Sequence, residues 1–208
     1  MIEKPILFNG EMVRAVLDGR KTQTRRVIKP LERFSWFDES TATLYGSNPL
    51  GRTCPYGAPG DGLWVRENAK IRSSGLTGIS SFELVYAADE KVVSCTGGAC
   101  NPFKPHCWTP SIHMPRWASR IQLEVAGVRV ERVQDITAED AMDEGIDNVW
   151  DKGDNSQYSL EECNDMIWTF QQLWDSINGK PRKDGVDISW AANPWLWVVD
   201  FKVVSVKS

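Results

Sequence analysis

The string GRKTQTRR at residues 19–26 puts four cations, Arg20, Lys21, Arg25 and Arg26, and two hydroxyls, Thr22 and Thr24, into eight positions. Two kinds of chemistry use such a set. Clustered guanidinium and ammonium groups bind phosphate, and a lysine crowded by like charges and by burial is pushed toward its neutral, proton-accepting form. From Arg14 to Arg33 there are seven cations and two anions. The segment therefore carries +5, and the rest of a chain of net charge −4 carries −9. An anionic ligand is drawn here, while the acidity of the whole argues against a protein that coats nucleic acid by bulk charge. Arg25 and Arg26 are adjacent, so in an extended segment one of them turns away from solvent. The plainer alternative is a solvated helix end followed by an edge strand, since cations favour a helix C-terminus.

The elements that must position this string are legible on either side of it. KPILFNG begins with a strand-like apolar run. NGEMVRAVLDG then reads as an amphipathic helix, with Met12, Val13, Val16 and Leu17 at helical spacing, Asn9 as N-cap and Gly19 as the stop. The basic string thus begins where the helix ends, and KTQTRRVI, with its β-branched residues, reads as extended. In an extended chain Lys21 and Thr24, three apart, converge only if the chain turns between them.

Further along, residues 34–60 have no period and read as a long loop or insertion, and residues 72–113 as a second. Between and within them DGLWVRE (61–67), with Trp64 in the core, and SFELVYAA (81–88) read as strands. Residues 119–136 alternate Ile121, Leu123 and Val125, then Val128, Val130 and Val133, and read as a strand pair bending at Ala126-Gly127. Thr137 caps a short helix with Asp140 completing a capping box and Gly145 as stop. Residues 160–177 form a helix whose apolar face carries Met166, Ile167, Phe170, Leu173, Trp174 and Ile177. NPWLWVVDFKVVSV is a nearly continuous apolar strand, expected to be buried on both faces. With 208 residues, these elements predict one α+β domain over 1–208, a small mixed β-barrel flanked by helices and carrying the two loop-rich insertions. Neither a signal-peptide pattern nor an apolar run of membrane-spanning length is present, so a cytoplasmic location is expected.

In this arrangement LDGRKTQTRR at the turn out of the first helix, PGDGLWVRE on the next strand and EDAMDEGI in a later helix resemble the ASCH domain of the PUA-like superfamily. The strings KPILFNGEMVRAVLDGRKTQTRR, SIHMPRWASRI and NPWLWVVDF are similar to ASCH-type proteins of bacteriophages and prophages over most of the chain. To the wider family the likeness covers the core only. The resemblance implies a PUA-like barrel with a cleft lined by the basic motif, used for RNA or nucleosides. One small bacterial member is an amidohydrolase that deacetylates N4-acetylcytidine with a Lys, a Thr and a Glu. The match carries the Lys and Thr onto Lys21 and Thr24, and the Glu onto Glu144, with Glu139 a near competitor. This chain is about twice as long as that enzyme, and its insertions stand where they can reshape the cleft.

An amide hydrolase needs a nucleophile, a base that is neutral near pH 7 and a donor for the developing oxyanion. Lys21 suits the base, because its arginine neighbours favour the neutral ammonia form; a nearby carboxylate opposes them. Thr24 is either the nucleophile or a holder of water, and Glu144 orients the lysine or passes a proton to the leaving amine. Two other readings stay open. One is a non-catalytic RNA or modified-base binding module contacting its ligand through Arg20, Arg25, Arg26, Arg66, Arg116 and Trp117. The other is a ribonuclease, an activity of some relatives, with Lys21 and Arg26 stabilising the phosphorane.

Arg66 or Glu67 is placed by its strand either at the barrel mouth beside Lys21 or away from it. Arg116 and Trp117 in HMPRWASR offer a cation and a stacking face, or else a surface charge and a core anchor. Trp36, Trp108 and Trp150 also sit among turn residues, where they could present stacking faces. Five cysteines, most in loop-like sequence, are read as free thiols. No cofactor is required. The alternative is a structural zinc held by Cys54, Cys95, Cys100 and Cys107, although Cys95-x4-Cys100-x5-His106-Cys107 is wider than the usual knuckle.

Overall fold

The computed structural model describes residues 2–28, 34–46, 51–72, 81–96, 107–147, 159–180 and 185–207. The first strand, β1 (Glu3–Leu7), leads into α1 (Gly10–Leu17), whose N-cap is Asn9: its Oδ1 accepts the Met12 N–H at 2.8 Å. The helix stops at Gly19, where φ is +74°, and β2 (Gln23–Val27) follows. A mixed five-stranded sheet of order β1-β6-β10-β11-β2 forms the centre, with β6 spanning Gly62–Arg66, β10 Ile121–Arg132 and β11 Trp195–Val206. Among the described residues of this sheet only the β1–β6 pairing is parallel, and α1 and the first insertion lie between these strands in sequence.

Among the described residues the expected barrel does not close. Strands β1 and β2 are opposite edges of the sheet, and no ladder joins them. The sheet curls enough that Arg26 on β2 donates through Nη2 to the Leu7 carbonyl of β1 at 2.7 Å, so a side chain spans the gap that a backbone ladder would fill. Inside the curl, Ile6, Phe8, Leu63, Val65, Ile121, Leu123, Trp197, Val199 and Phe201 meet Val13 and Val16 of α1. On the other face α2 (Ala138–Asp143) and α3 (Leu160–Asn178) pack Ala141, Met166, Phe170 and Trp174 against Leu196. Both helices begin with a capping box, from Thr137 with Asp140 and from Ser159 with Glu162.

Three expectations are corrected. Residues 121–132 are one strand, not a hairpin: Ala126-Gly127 forms a β-bulge against Asp200 of β11. A bulge inserts one residue and so moves the inward positions from odd (Ile121, Leu123, Val125) to even (Val128), the same phase change a turn would leave in the sequence. Strand β11 is buried on both faces only from Leu196 to Val199; from Lys202 onward it is exposed. On α3, Ile177 is exposed instead of joining the apolar face.

The insertions are partly regular. The first holds the meander β3 (Phe34–Asp38), β4 (Thr43–Gly46) and β5 (Arg52–Thr53), and its Ala42, Leu44 and Cys54 complete the main core. The second region holds β8 (Ser81–Tyr86) and β9 (Val92–Thr96), which join β7 (Ala69–Arg72) around a smaller cluster of Ile71, Leu84, Tyr86, Val93 and Met114. Among the described residues no helix is long and apolar enough to cross a membrane.

Candidate functional site

The site is built where α1 stops, β2 starts and α2 stops. Gly19 turns the chain out of α1, and the N–H groups of Arg20 and Lys21 both bond to the Ala15 carbonyl, so Lys21 enters the molecule at once. From the other side α2 ends with Glu144 as its C-cap, followed by Gly145 at φ +89°. Lys21 and Glu144 form an isolated antiparallel bridge, and Thr22 fastens the same junction, its N–H to the Asp143 carbonyl and its Oγ1 to Asp143 Oδ1 at 2.8 Å.

Lys21 is 1 % exposed. Its Nζ donates to Glu144 Oε2 at 2.6 Å and to the Glu144 carbonyl at 2.7 Å, and it lies 5.8 Å from the centre of the Phe8 ring. Burial pulls its pKa below the usual 10.5; the Glu144 carboxylate pulls it back up, and Arg26 and Arg25 add to the lowering. Of the two carboxylates left open by the sequence, Glu144 meets the lysine, while Glu139 is exposed on α2.

Strand alternation sorts the rest of the string. Thr24 pairs with Val199 and Arg26 with Trp197, so both share the main-core face of the sheet with Phe8, and Arg26 lies 5.7 Å from that ring. Gln23 and Arg25 take the opposite face, where Arg25 lies 5.9 Å from the Phe170 ring. Thr24 is buried, and among the described residues no hydrogen bond joins it to Lys21 or Glu144. Lys21 and Glu144 are thus brought together, with Thr24 near the same strand end and unpaired to them.

Arg25, whose side chain is 1 % exposed, pairs with Asp140 at 3.0 Å and Glu131 at 3.2 Å, donates to Gln23 Oε1, and lies 3.6 Å from Glu144 Oε1. Arg129 continues the chain of charges to Glu131, to Asp140 at 2.7 Å and to Asp200 at 2.9 Å, and Gln23 Nε2 donates to Asp200 at 2.8 Å. Burial works to raise the Asp140 pKa, but the Arg25 charge, a Thr137 N–H and further partners outweigh it and leave it below the usual value. Sequence reasoning missed Gln23, Arg129, Glu131, Asp140 and Asp200. The i, i+2 pair Arg129/Glu131 inside an apolar strand was the available signal.

Among the described residues, three buried side-chain polar atoms lack a hydrogen-bond partner, Glu144 Oε1, Arg25 Nε and Arg26 Nε, and all three belong to this site. Buried polar atoms are nearly always satisfied, so such a group marks where a water, ion or ligand atom binds. A groove of about 510 Å3 between α1 and α3 reaches Glu144 and Gly145, with Arg14, Arg20, Ile146 and Leu173 along it.

The remaining predicted contacts lie elsewhere. Arg20 is on the surface, tied to Asp147 at 2.6 Å and Asp18 at 3.1 Å. Arg66 donates through Nε to the Met114 carbonyl and packs on Trp64; Arg116 makes a bidentate pair with Glu3, and Trp117 is half-buried against the smaller cluster. Glu67 does not meet Lys21: it is buried against Arg120, which also holds Asp89. Trp64 is buried, flanked by Arg66 and Arg116. Trp36 is exposed and stacked on Tyr45, Trp108 is exposed, and Trp150 lies outside the described residues.

Of the four cysteines considered for zinc, Cys54 is buried in the main core with its thiol pushed up to about 11, mainly by burial, and Cys107 is exposed. Cys100 and the side chain of Cys95 lie outside the described residues. Among the described residues no group of three His, Cys, Asp or Glu is arranged to hold a metal ion. Comparison of the chain with protein-family models, with curated proteins and with solved structures gives no match.

Proposed function

We propose that this chain is an ASCH-type, PUA-like protein of the phage and prophage kind, and that its Lys21–Glu144 site hydrolyses the acyl-amide bond of N4-acetylcytidine-type nucleosides, free or in RNA. The observation that carries the reading is a lysine buried at 1 % exposure, with its pKa lowered, bonded at 2.6 Å to a carboxylate whose other oxygen lies 3.6 Å from Arg25 and accepts no hydrogen bond. A surface phosphate patch has no need of a buried ammonium, whereas a base working near neutral pH does.

In the reaction, the attacking oxygen belongs to Thr24 or to a water held beside it. It bonds to the acyl carbon while its proton passes to neutral Lys21. The proton crosses the Lys21–Glu144 hydrogen bond and is delivered to N4 as the C–N bond breaks, giving cytidine and acetate. If Thr24 attacks, a second water hydrolyses the acyl-threonine by the same proton path. Arg26, on the same face of β2 as Thr24 and with an Nε–H that makes no hydrogen bond, supplies a donor for the oxyanion.

The test is to incubate the protein with N4-acetylcytidine and, separately, with end-labelled single-stranded RNA, beside Thr24→Ala and Glu144→Gln variants. The reading expects cytidine from wild type, none from Thr24→Ala, a reduced rate from Glu144→Gln, and RNA of unchanged length. Shortened RNA would establish the ribonuclease instead, and salt-sensitive RNA binding without turnover the binding module.

A further inference from the structure

The second meander has a face that the Lys21 chemistry does not use. Register puts Lys70 opposite Val85 and Val85 opposite Val92, with Arg72 opposite Glu83, so these side chains share the outer face while Ile71, Leu84 and Val93 fill the cluster beneath. Lys70 and Arg72 are two residues apart on one strand, so their Cα atoms are about 6.7 Å apart along it. Trp108 stands beside β7, held there by Thr109, whose N–H donates to the Ala69 carbonyl at 2.8 Å and whose carbonyl accepts from Ala69 at 3.3 Å; Ser111 N–H bonds to Asn68 Oδ1 next to it. The indole is 45 % exposed with Lys70 Nζ 4.4 Å from its ring. A cavity of about 320 Å3 runs between Trp108, Lys70, Arg72, Val85 and Val92, with Glu90 at its margin.

We propose that this groove binds single-stranded nucleic acid, one base stacking on Trp108 over the Val85/Val92 floor and consecutive phosphates lying on Lys70 and Arg72. Three features select this ligand. A rigidly mounted, half-exposed indole with an apolar floor accepts the face of any base. Two cations at strand spacing match successive phosphates of an extended chain. The cavity volume of about 320 Å3 is enough for one unstacked base, whereas the carboxylates of an acidic peptide offer no face to stack on the indole. The inference goes beyond the deacylation reading and stands independently of it, since a second contact region serves a strand whatever happens at Lys21.

The test is fluorescence anisotropy of labelled oligouridylate and oligothymidylate of about ten nucleotides, titrated with the full chain over a salt series. Wild type binds both. Trp108→Ala raises Kd roughly tenfold, the size expected for one lost stacking contact, while Trp108→Phe, which keeps a ring, stays close to wild type. The Lys70→Ala/Arg72→Ala pair lowers the slope of log K against log salt by about 1.4, for two phosphates on a single strand. Unchanged Kd in Trp108→Ala, an unchanged slope in the double variant, or equal losses in Trp108→Phe and Trp108→Ala would each overturn the proposal. So would displacement of the strand by uridine monophosphate or by poly-glutamate at matched charge. Deacylation of free N4-acetylcytidine by Trp108→Ala stays at the wild-type rate, so failure at one site is read separately from failure at the other.

Discussion

At Lys21 the penalty for burying an ammonium is set against a single close carboxylate, and burial wins: the pKa falls even with Glu144 at 2.6 Å. Two consequences follow from the sign. Between the lowered folded-state value and 10.5 the unfolded chain holds a proton that the folded chain does not, so the contribution of Lys21 to stability rises with pH across that window. If the proposed deacylation uses neutral Lys21, its kcat/KM should have an acid limb below the ordinary lysine range. Replacing Glu144 by Gln removes the carboxylate charge that raises the Lys21 pKa and leaves the cations of Arg25 and Arg26, so the remaining activity should have its limb at lower pH than wild type. A pH–rate series on both proteins checks this, and a limb that stays in place or moves up contradicts it. Replacing Glu144 by Ala also takes the side-chain acceptor from the buried Lys21 amine, and an unfolding titration should register about 1–3 kcal/mol lost. The sequence displayed the basic residues but not which of them turn inward. Arg25 was legible as one of two adjacent arginines, whereas its partners Glu131 and Asp140 are more than a hundred residues away and only the fold brings them to it.

Two element ends meet to make the site, and a glycine sits at each. Gly145, at φ +89°, has no room for a side chain: a Cβ there would stand 2.8 Å from Ala15 Cβ and 3.1 Å from Lys21 Cβ. Gly19, at φ +74°, has nothing within 4 Å. Gly19→Ala therefore carries only the left-handed backbone cost, about 1–2 kcal/mol, while Gly145→Ala adds a clash that pushes Glu144 away from Lys21. Urea unfolding should show the second variant the less stable, and deacylation should fall in it more than in the first. Helix ends were readable because caps are local chemistry: Asn9, Thr137 and Gly19 do what their side chains or lack of one allow. The long strand β10 was not, since a bulge at Ala126-Gly127 and a turn there leave the same shift in apolar spacing, and only pairing with Asp200 separates them.

At the scale of the molecule, a curled sheet carries the main core on one face and α2 and α3 on the other, with the second meander tied on through Arg120. That arginine, fully buried, holds Glu67 at the end of β6 and Asp89 after β8 together, and packs 4.3 Å from the Tyr86 ring. Burial raises the Glu67 pKa above its usual 4.5, and Arg120 is what limits the rise. In Arg120→Met the folded-state value climbs further. The folded chain then binds more protons than the unfolded one above pH 4.5, so the variant loses stability as pH rises through that range, approaching about 3–5 kcal/mol near neutrality. Urea midpoints compared at acid and neutral pH check the direction. The α+β class and the order of the principal elements were legible from apolar periodicity. Of the meanders, β8 was legible as SFELVYAA, but β3, β4, β5 and β9 were not, because such short strands lack a clear period of their own and are ordered by the clusters they cover. The proposed activity rests on Lys21 acting as a base beside Glu144, where α1, β2 and α2 meet. The most direct measurement is the rate of cytidine release from N4-acetylcytidine by wild type and by Lys21→Met, with circular dichroism confirming that both are folded. Release by wild type and none above background by the variant is the predicted result; equal rates, or no release by the wild-type protein, would contradict it.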